Sequence, residues 1–434
     1  MTSLFARGVG LPGAQRAEGC WIIDTAGNRY LDGASGALVV NLGHNDSRVN
    51  SAILRQLDAV AYVHSTAFNS DVLEEYASLL ASKLPMDDPT IYPVSGGSEA
   101  VETALKVARA FHLANDEPER TVFIGRELSY HGNTVGALDV SGRQSLRDPY
   151  LPWLGRAGRV PGVLEYRCPN PGHPQDCAEW HARALQAEIE RVGPAQVAAF
   201  IAEPIGGAAS GAAMPPAGYW DAVVETCRRH GILVIADEVM TGFGRTGEWF
   251  ASEHFGLQPD IMTMAKGASS GYWPLGVCAM SRRVSDTLED TDFIHGFTFS
   301  HHMVGAVTGR AVIKRLDELR LVERAEERGF LLGDALTSLI GESPLVGDVR
   351  GIGLLWAVEI VEDRSQRTPF PAAQRMAARL TRAARAKGLL VYPSTGCAGG
   401  GTGDLIMIGP PLVVSEPEIE TLADRLAAAL KELE

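Results

Sequence analysis

Positive charge is in short supply in this chain: 39 Lys and Arg stand against 53 Asp and Glu, a formal net charge of −14. Phosphate-backbone binding needs clustered Lys and Arg, and their absence argues against a nucleic-acid surface. No apolar run approaches the roughly 20 residues that span a bilayer, so no membrane segment is expected. The start, MTSLFARGVGLPGAQRAEG, has no basic segment followed by a continuous apolar one, so a secretory signal is not expected. Cysteines are few. Cys20, Cys168, Cys177, Cys227, Cys278 and Cys397 are scattered with no CxxC pair, a usage that fits reduced thiols and a cytoplasmic location. Cys168, His173 and Cys177 share the stretch CPNPGHPQDC, but a fourth zinc ligand is not evident. A proline-rich surface loop is the better reading, and no metal is expected. Short repeats and low-complexity tracts are also missing.

What is present is enough apolar material for a large core: 434 residues, 45% of them hydrophobic, a size that divides into two domains. Trp21 to Asp32 reads as a hairpin around Ala26-Gly27-Asn28, and Ser47 to Val63 has helical periodicity. Short β-rich runs then alternate with helical stretches. TVFIGRE, VAAFIAEP, ILVIADEV, IMTMAK and VCAMS are the expected strands of one mainly parallel sheet covered by helices. VGDVRGIGLLWAVEIVE, a helix through Ala372 to Lys387, LLVYP, DLIMIG and a last helix from Glu416 predict a smaller α+β domain. The expected division is an N-terminal segment at 1–64, a large domain at 65–318 and a small domain at 319–434.

One pairing carries most of the chemical information. The apolar run GILVIADEV delivers Asp237 to its end, and the next such run, PDIMTMAK, delivers Lys266. A desolvated lysine is neutral and nucleophilic, able to condense with an aldehyde to a Schiff base. A buried aspartate favours the protonated form of a weakly basic ring nitrogen. Together they supply what pyridoxal 5'-phosphate (PLP) requires, if neighbouring strand ends bring them to one cleft. Taken singly, each residue has a plainer reading: a core lysine reaching toward the surface, an aspartate capping a helix.

IYPVSGGSEAVETALKVARAFH reads as a strand, a glycine turn and an amphipathic helix, and the N-terminus of such a helix offers free N–H groups to an anion. Ser98 with Glu99 also suits an ordinary helix start. Tyr130 and His131 follow the strand TVFIGRELS in SYHGNTVGAL, and Glu203 ends VAAFIAEP before a glycine-rich loop. GFGRTG, Gly242 to Gly247, lacks the spacing of a dinucleotide fingerprint and reads as the loop after Asp237, with Arg245 serving its architecture.

These motifs, in this order, resemble the class III (ω-type) PLP-dependent aminotransferases of fold type I. The similarity runs from GCWIIDTAGNRYLDGASGALVVNLGH to DLIMIGPPLVVSEPEIE, nearly the whole chain. It implies that Lys266 forms the Schiff base, that Asp237 pairs with the pyridinium nitrogen and that Val239 packs against one ring face. It also implies that Gly97 and Ser98 hold the phosphate, that Tyr130 stacks on the ring with His131 behind it, and that Glu203 orders the polar surroundings. Thr298, in HGFTFSHH, matches a threonine that reaches the phosphate of the neighbouring subunit's cofactor, so a homodimer with shared sites is expected. The N-terminal segment is expected to fold against the small domain. The implied reaction is ping-pong transfer of an amino group from an amine or ω-amino acid to a small oxo acid, with aminomutase, racemase or decarboxylase chemistry as the alternative on the same fold.

One departure bears on substrate. Many relatives read Leu-Arg-Ile before Pro-Pro-Leu, where the arginine grips a substrate carboxylate through two hydrogen bonds. This chain has Ile406-Met407-Ile408-Gly409 before Pro410-Pro411-Leu412, and the preceding loop STGCAGGGTGD also lacks arginine. Either another group binds the carboxylate or one substrate presents none at that place.

Overall fold

The computed structural model describes residues 10–434; the opening nine residues of the N-terminal segment, including part of the stretch read for a secretory signal, lie outside them. Three sheets organise the described residues. Strands β1 (Ala14–Glu18), β2 (Trp21–Asp24) and β3 (Arg29–Asp32) form an antiparallel meander. Asp24 closes the β2–β3 turn by accepting from the Ala26 and Asn28 amides at 2.9 Å each. Such local side-chain bonding is why Asp is favoured in turns.

The central sheet holds β4 (Thr90–Val94), β5 (Val122–Arg126), β6 (Gly158–Val160), β7 (Val197–Ala202), β8 (Leu233–Asp237), β9 (Ile261–Met264) and β10 (Gly276–Met280). Their spatial order is β4-β10-β9-β8-β7-β5-β6. Pairings from β6 through β9 are parallel, and β10 runs antiparallel to both neighbours. Every residue of β7 and β8 is buried, as expected for strands covered on both faces. Alternation sorts them: Ala199, Ile201, Leu233 and Ile235 pack toward the helix Gly97–Ala114, while Phe200, Ala202, Val234 and Ala236 join the core on the other face.

The third sheet is built from β11 (Val346–Ile352), β12 (Leu355–Asp363), β15 (Tyr392–Gly399) and β16 (Thr402–Ile408), with the two-residue β13 (Thr368–Pro369) pairing with β12. LLVYP divides: Leu389–Leu390 (β14) pairs in parallel with β3, and Tyr392 opens β15. The last helix, Glu416–Lys431, is capped by Ser415 and Glu418, and Glu418 also accepts from the Trp21 indole at 2.7 Å. By these contacts the first strands are stitched to the end of the chain. No helix among the described residues is long and apolar enough to cross a membrane.

The helix Leu321–Glu342 meets the β11–β12 turn at Gly329 and Gly353. A Cβ on Gly329 would lie 2.5 Å from the Gly353 backbone. In a free helix Gly to Ala stabilises by up to about 1 kcal/mol. Here Gly329→Ala is expected to destabilise by about 1–3 kcal/mol through overpacking, read as a lowered denaturation midpoint.

Candidate active site

Strands β8 and β9 lie side by side in parallel, with Asp237 opposite Thr263. Both chains therefore leave the sheet at the same edge, and Lys266 follows β9 directly. Lys266 has φ +45, a left-handed backbone uncommon for a residue with a Cβ, and opens a single 3-10 turn, Lys266–Ala268. The turn breaks the strand where its side chain must enter the cavity.

That cavity, about 430 Å³, is lined by Lys266, Asp237, Gly97, Ser98, Tyr130, His131, Glu203 and Val239, eight residues singled out in the sequence. Thr298 is not among its lining residues; it is exposed, and its carbonyl accepts from the Tyr62 hydroxyl at 2.8 Å.

Asp237 is buried and held from three directions. His131 Nδ1 lies 2.7 Å from Oδ2, while the Val239 amide and the Thr263 hydroxyl each donate to Oδ1 at 3.1 Å. His131 is closer to the chemistry than its sequence position suggested: it touches Asp237 directly and lines the cavity. Its Nε2 is buried without a hydrogen-bond partner among the described residues. Thr263 was not singled out from the sequence. Its only signal was a hydroxyl in the apolar run IMTM, and strand register alone reveals what it faces.

Glu203, also buried, accepts from the Tyr130 amide at 3.0 Å and lies 3.2 Å from Arg126 Nη2. Arg126 also donates to the Glu203 carbonyl at 2.6 Å, fixing the end of β7 to the end of β5. The neighbouring carboxylate, Glu238, points away from the cavity. It accepts from the Ala251 and Ser252 amides and the Thr241 and Ser252 hydroxyls, and burial pushes its carboxyl up.

The helix Gly97–Ala114 begins at the cavity edge. Its first amides have no partner within the helix, which makes this end suited to a dianion. A Cβ at Gly97 would press on Val239 Cγ1 at 3.1 Å, whereas one at Gly96 would meet nothing within 4 Å. The side chain is absent where the floor is tight.

Burial pushes the Lys266 ammonium down to about 8 from its ordinary value, with Arg245 adding to the depression and Asp237 and Glu203 opposing it. The lysine keeps some contact with the cavity, but protein atoms surround it, so desolvation outweighs both carboxylates. Arg245 is itself fully buried and is held by the Leu354 and Pro410 carbonyls and by Asn41 Oδ1, at 3.0, 2.6 and 2.7 Å. Architecture, as expected, is its place: it ties the loop after β8 to the N-terminal segment and to the third sheet.

These groups fit PLP. An enclosed amine, a carboxylate fixed by donors, an unpartnered imidazole nitrogen and a helix start offer matching partners for an aldehyde, a ring nitrogen, a ring substituent and a phosphate. Titration of Lys266 in the cofactor-free chain, followed by reductive methylation and peptide mass mapping, is expected to show a midpoint near about 8. Ordinary lysines titrate near about 10.4. Because the Asp237 charge favours the ammonium, Asp237→Asn moves that midpoint down; an unmoved or raised midpoint breaks the pairing.

The relatives of this chain agree with that chemistry. A family model described as aminotransferase class-III matches residues 7–430. The aminotransferase YodT of Bacillus subtilis is 36% identical over 428 residues, covering 97% of this chain and 96% of the relative. An adenosylmethionine-8-amino-7-oxononanoate aminotransferase of Geobacter sulfurreducens is 34% identical, covering 95% and 90%. Among solved structures, an (S)-enantioselective ω-transaminase from Thermomicrobium roseum superposes with a TM-score of 0.93 at 36% identity, covering 100% and 96%. An amine transaminase from an uncultivated Pseudomonas species, solved with PLP bound, gives 0.92 at 34% identity, covering 100% and 98%. With its fold, its cavity and its relatives in agreement, the chain belongs to the class III aminotransferases and is a PLP-dependent enzyme of that family.

Proposed function

We propose that this aminotransferase is of the ω type, taking its amino group from an amine, or from an amino acid whose reacting amine is remote from a carboxylate, and passing it to a small oxo acid. The observation that carries this reading is electrostatic. Among the described residues no arginine lines the cavity, whose lining includes the apolar Val39, Met240, Trp273, Pro274 and Leu275. Met407, at the position where many relatives carry arginine, is fully buried in β16 and packs with Leu38, Ala212, Ala213 and Leu355. A donor's carboxylate finds no fixed cation there. An apolar substituent finds a matching wall.

When bound, PLP supplies an aldehyde for the donor amine and a ring that accepts the electrons left by a departing proton. Lys266, enclosed and depressed, keeps an appreciable neutral fraction near neutral pH and so serves at Nζ as nucleophile and as proton carrier. Asp237 would pair with the ring nitrogen, its orientation fixed by His131, Thr263 and the Val239 amide. Gly97 and Ser98 would hold the phosphate, Tyr130 and Val239 would flank the ring, and Glu203 keeps the Tyr130 backbone in place.

We also read the enzyme as a homodimer in which Thr298 completes the partner's phosphate site. Thr298 lies outside its own chain's cavity, and exposed apolar side chains surround it: Phe299, 58% exposed, and Tyr62, whose rings meet edge-on at 6.0 Å. A cytoplasmic location is supported by six free thiols.

Steady-state assays over a donor panel are expected to give strong turnover with terminal amines and ω-amino acids. Turnover with ordinary α-amino acids alone, and none with terminal amines, counts against the ω assignment. Stoichiometric release of a carbonyl product separates transfer from mutase or racemase action. Lys266→Ala is expected to abolish the visible absorption band and turnover. For the shared site, sedimentation is expected to give a two-chain species, and Thr298→Ala to speed cofactor loss several-fold with the dimer intact. Unchanged cofactor retention removes Thr298 from the phosphate site.

A further inference from the structure

Away from the active site, the proline-rich stretch CPNPGHPQDC folds into a surface loop whose three metal-type ligands converge. Cys168 follows the short 3-10 turn Glu165–Arg167, and Cys177 opens the helix Cys177–Val192. Their sulfurs lie 3.7 Å apart, His173 Nδ1 lies 3.4 Å from Cys177 Sγ, and the three ligand atoms all fall within 4.8 Å of one another. None of the three lines the cavity that holds Lys266.

These separations have a chemical meaning. Zinc binds thiolate at about 2.3 Å and imidazole at about 2.0–2.1 Å in tetrahedral sites. The edges of such a tetrahedron are about 3.8 Å between two sulfurs and about 3.6 Å between sulfur and nitrogen. Two of the edges are therefore already formed. A disulfide needs its sulfurs at about 2.05 Å, so this pair would have to close much further to bond to each other.

The loop is also braced for this arrangement. Asn170, buried within it, donates through Nδ2 to Cys177 Sγ at 3.5 Å and to the Gln175 carbonyl at 3.0 Å. Its Oδ1 accepts from the Gly172 amide at 2.9 Å, and its carbonyl accepts from the His173 amide at 3.1 Å. An amide donor aimed at a sulfur is the kind of outer contact that orients and tunes a metal thiolate. Cys168 and His173 are half-buried, so solvent reaches the cluster.

We propose that Cys168, His173 and Cys177 bind a thiophilic divalent cation, zinc or a metal of similar softness, with water as the fourth ligand. Two thiolates exclude calcium and magnesium as the preferred ions. Binding displaces one proton from each thiol to solvent and involves no change of oxidation state, so affinity rises with pH. The role is a clip. The turn just before the loop is anchored to the third sheet, where Arg167 Nε donates to Glu359 at 2.6 Å and Arg367 Nη1 donates to the Tyr166 carbonyl at 2.7 Å. A metal would fasten the other end of the same strap to the start of the helix Cys177–Val192.

The test uses the full-length holoenzyme, kept reduced, stripped with a chelator and dialysed against zinc chloride. Elemental analysis is expected to give about one zinc per chain. X-ray absorption at the zinc edge is expected to show two sulfur ligands, and zinc to protect Cys168 and Cys177 from alkylation. Cys168→Ser and His173→Ala are each expected to weaken zinc binding by at least about 10-fold. His173→Ala changes a half-exposed loop ring, and the protection assay on the unaltered chain needs no variant, so a misfolded cysteine variant does not decide the outcome. Failure of the reduced chain to retain zinc overturns the site, as does zinc without sulfur neighbours or equal binding by the Cys168→Ser/His173→Ala double variant.

Discussion

The parallel pairing of β8 with β9 is the constraint on which the rest depends. Registering Asp237 against Thr263 fixes where both strands end, and so brings a carboxylate and a lysine to one edge of the sheet. The pairing is secured by burial on both faces, since each residue of both strands is covered. A shift of one residue would turn Asp237 toward the opposite core and leave an unpaired charge among apolar side chains. The chemistry thus depends on a register that the hydrophobic core enforces.

Around that edge the protein arranges charge by desolvation more than by pairing. Two carboxylates near Lys266 favour its ammonium, yet enclosure wins and the amine titrates lower. Arg245 adds to the depression from a position where the Leu354 and Pro410 carbonyls, the Asn41 amide oxygen and the Ser35 hydroxyl hold it. Burial pushes its guanidinium down to about 9, although Asp32 favours the charge. One buried cation therefore joins three parts of the chain and also biases Lys266. A buried charge retained for specificity of assembly has precedent as a physical idea.

The loop 168–177 and Met407 show how far residue type can be separated from role. Its prolines and exposure make the loop a surface loop, and the same folding brings its sulfurs and imidazole together. Exposure and convergence were not alternatives. Met407 was conspicuous as a missing arginine, and its burial among Leu38, Ala212 and Leu355 shows that the side chain packs and leaves the cavity wall to others.

Much of the site was legible because apolar runs announce buried strands, and a charged residue at the end of such a run has few places to go. ILVIAD and IMTMAK pointed to Asp237 and Lys266, and SGGSEA to the helix start at Gly97, from local pattern alone. Helix and strand periodicity likewise marked the alternating elements and the final helix, whereas β6 and β13 have too few residues to signal and β1, AQRAE, is nearly all exposed and has no apolar alternation. Local pattern could not reach the contact between His131 and Asp237, the hydroxyl of Thr263 behind it, or the web around Arg245. Those partners lie far apart along the chain. By itself the sequence determined which residues could carry a charge into the core; the tertiary structure decided which charges meet, because register and burial are properties of strands side by side and of no single strand.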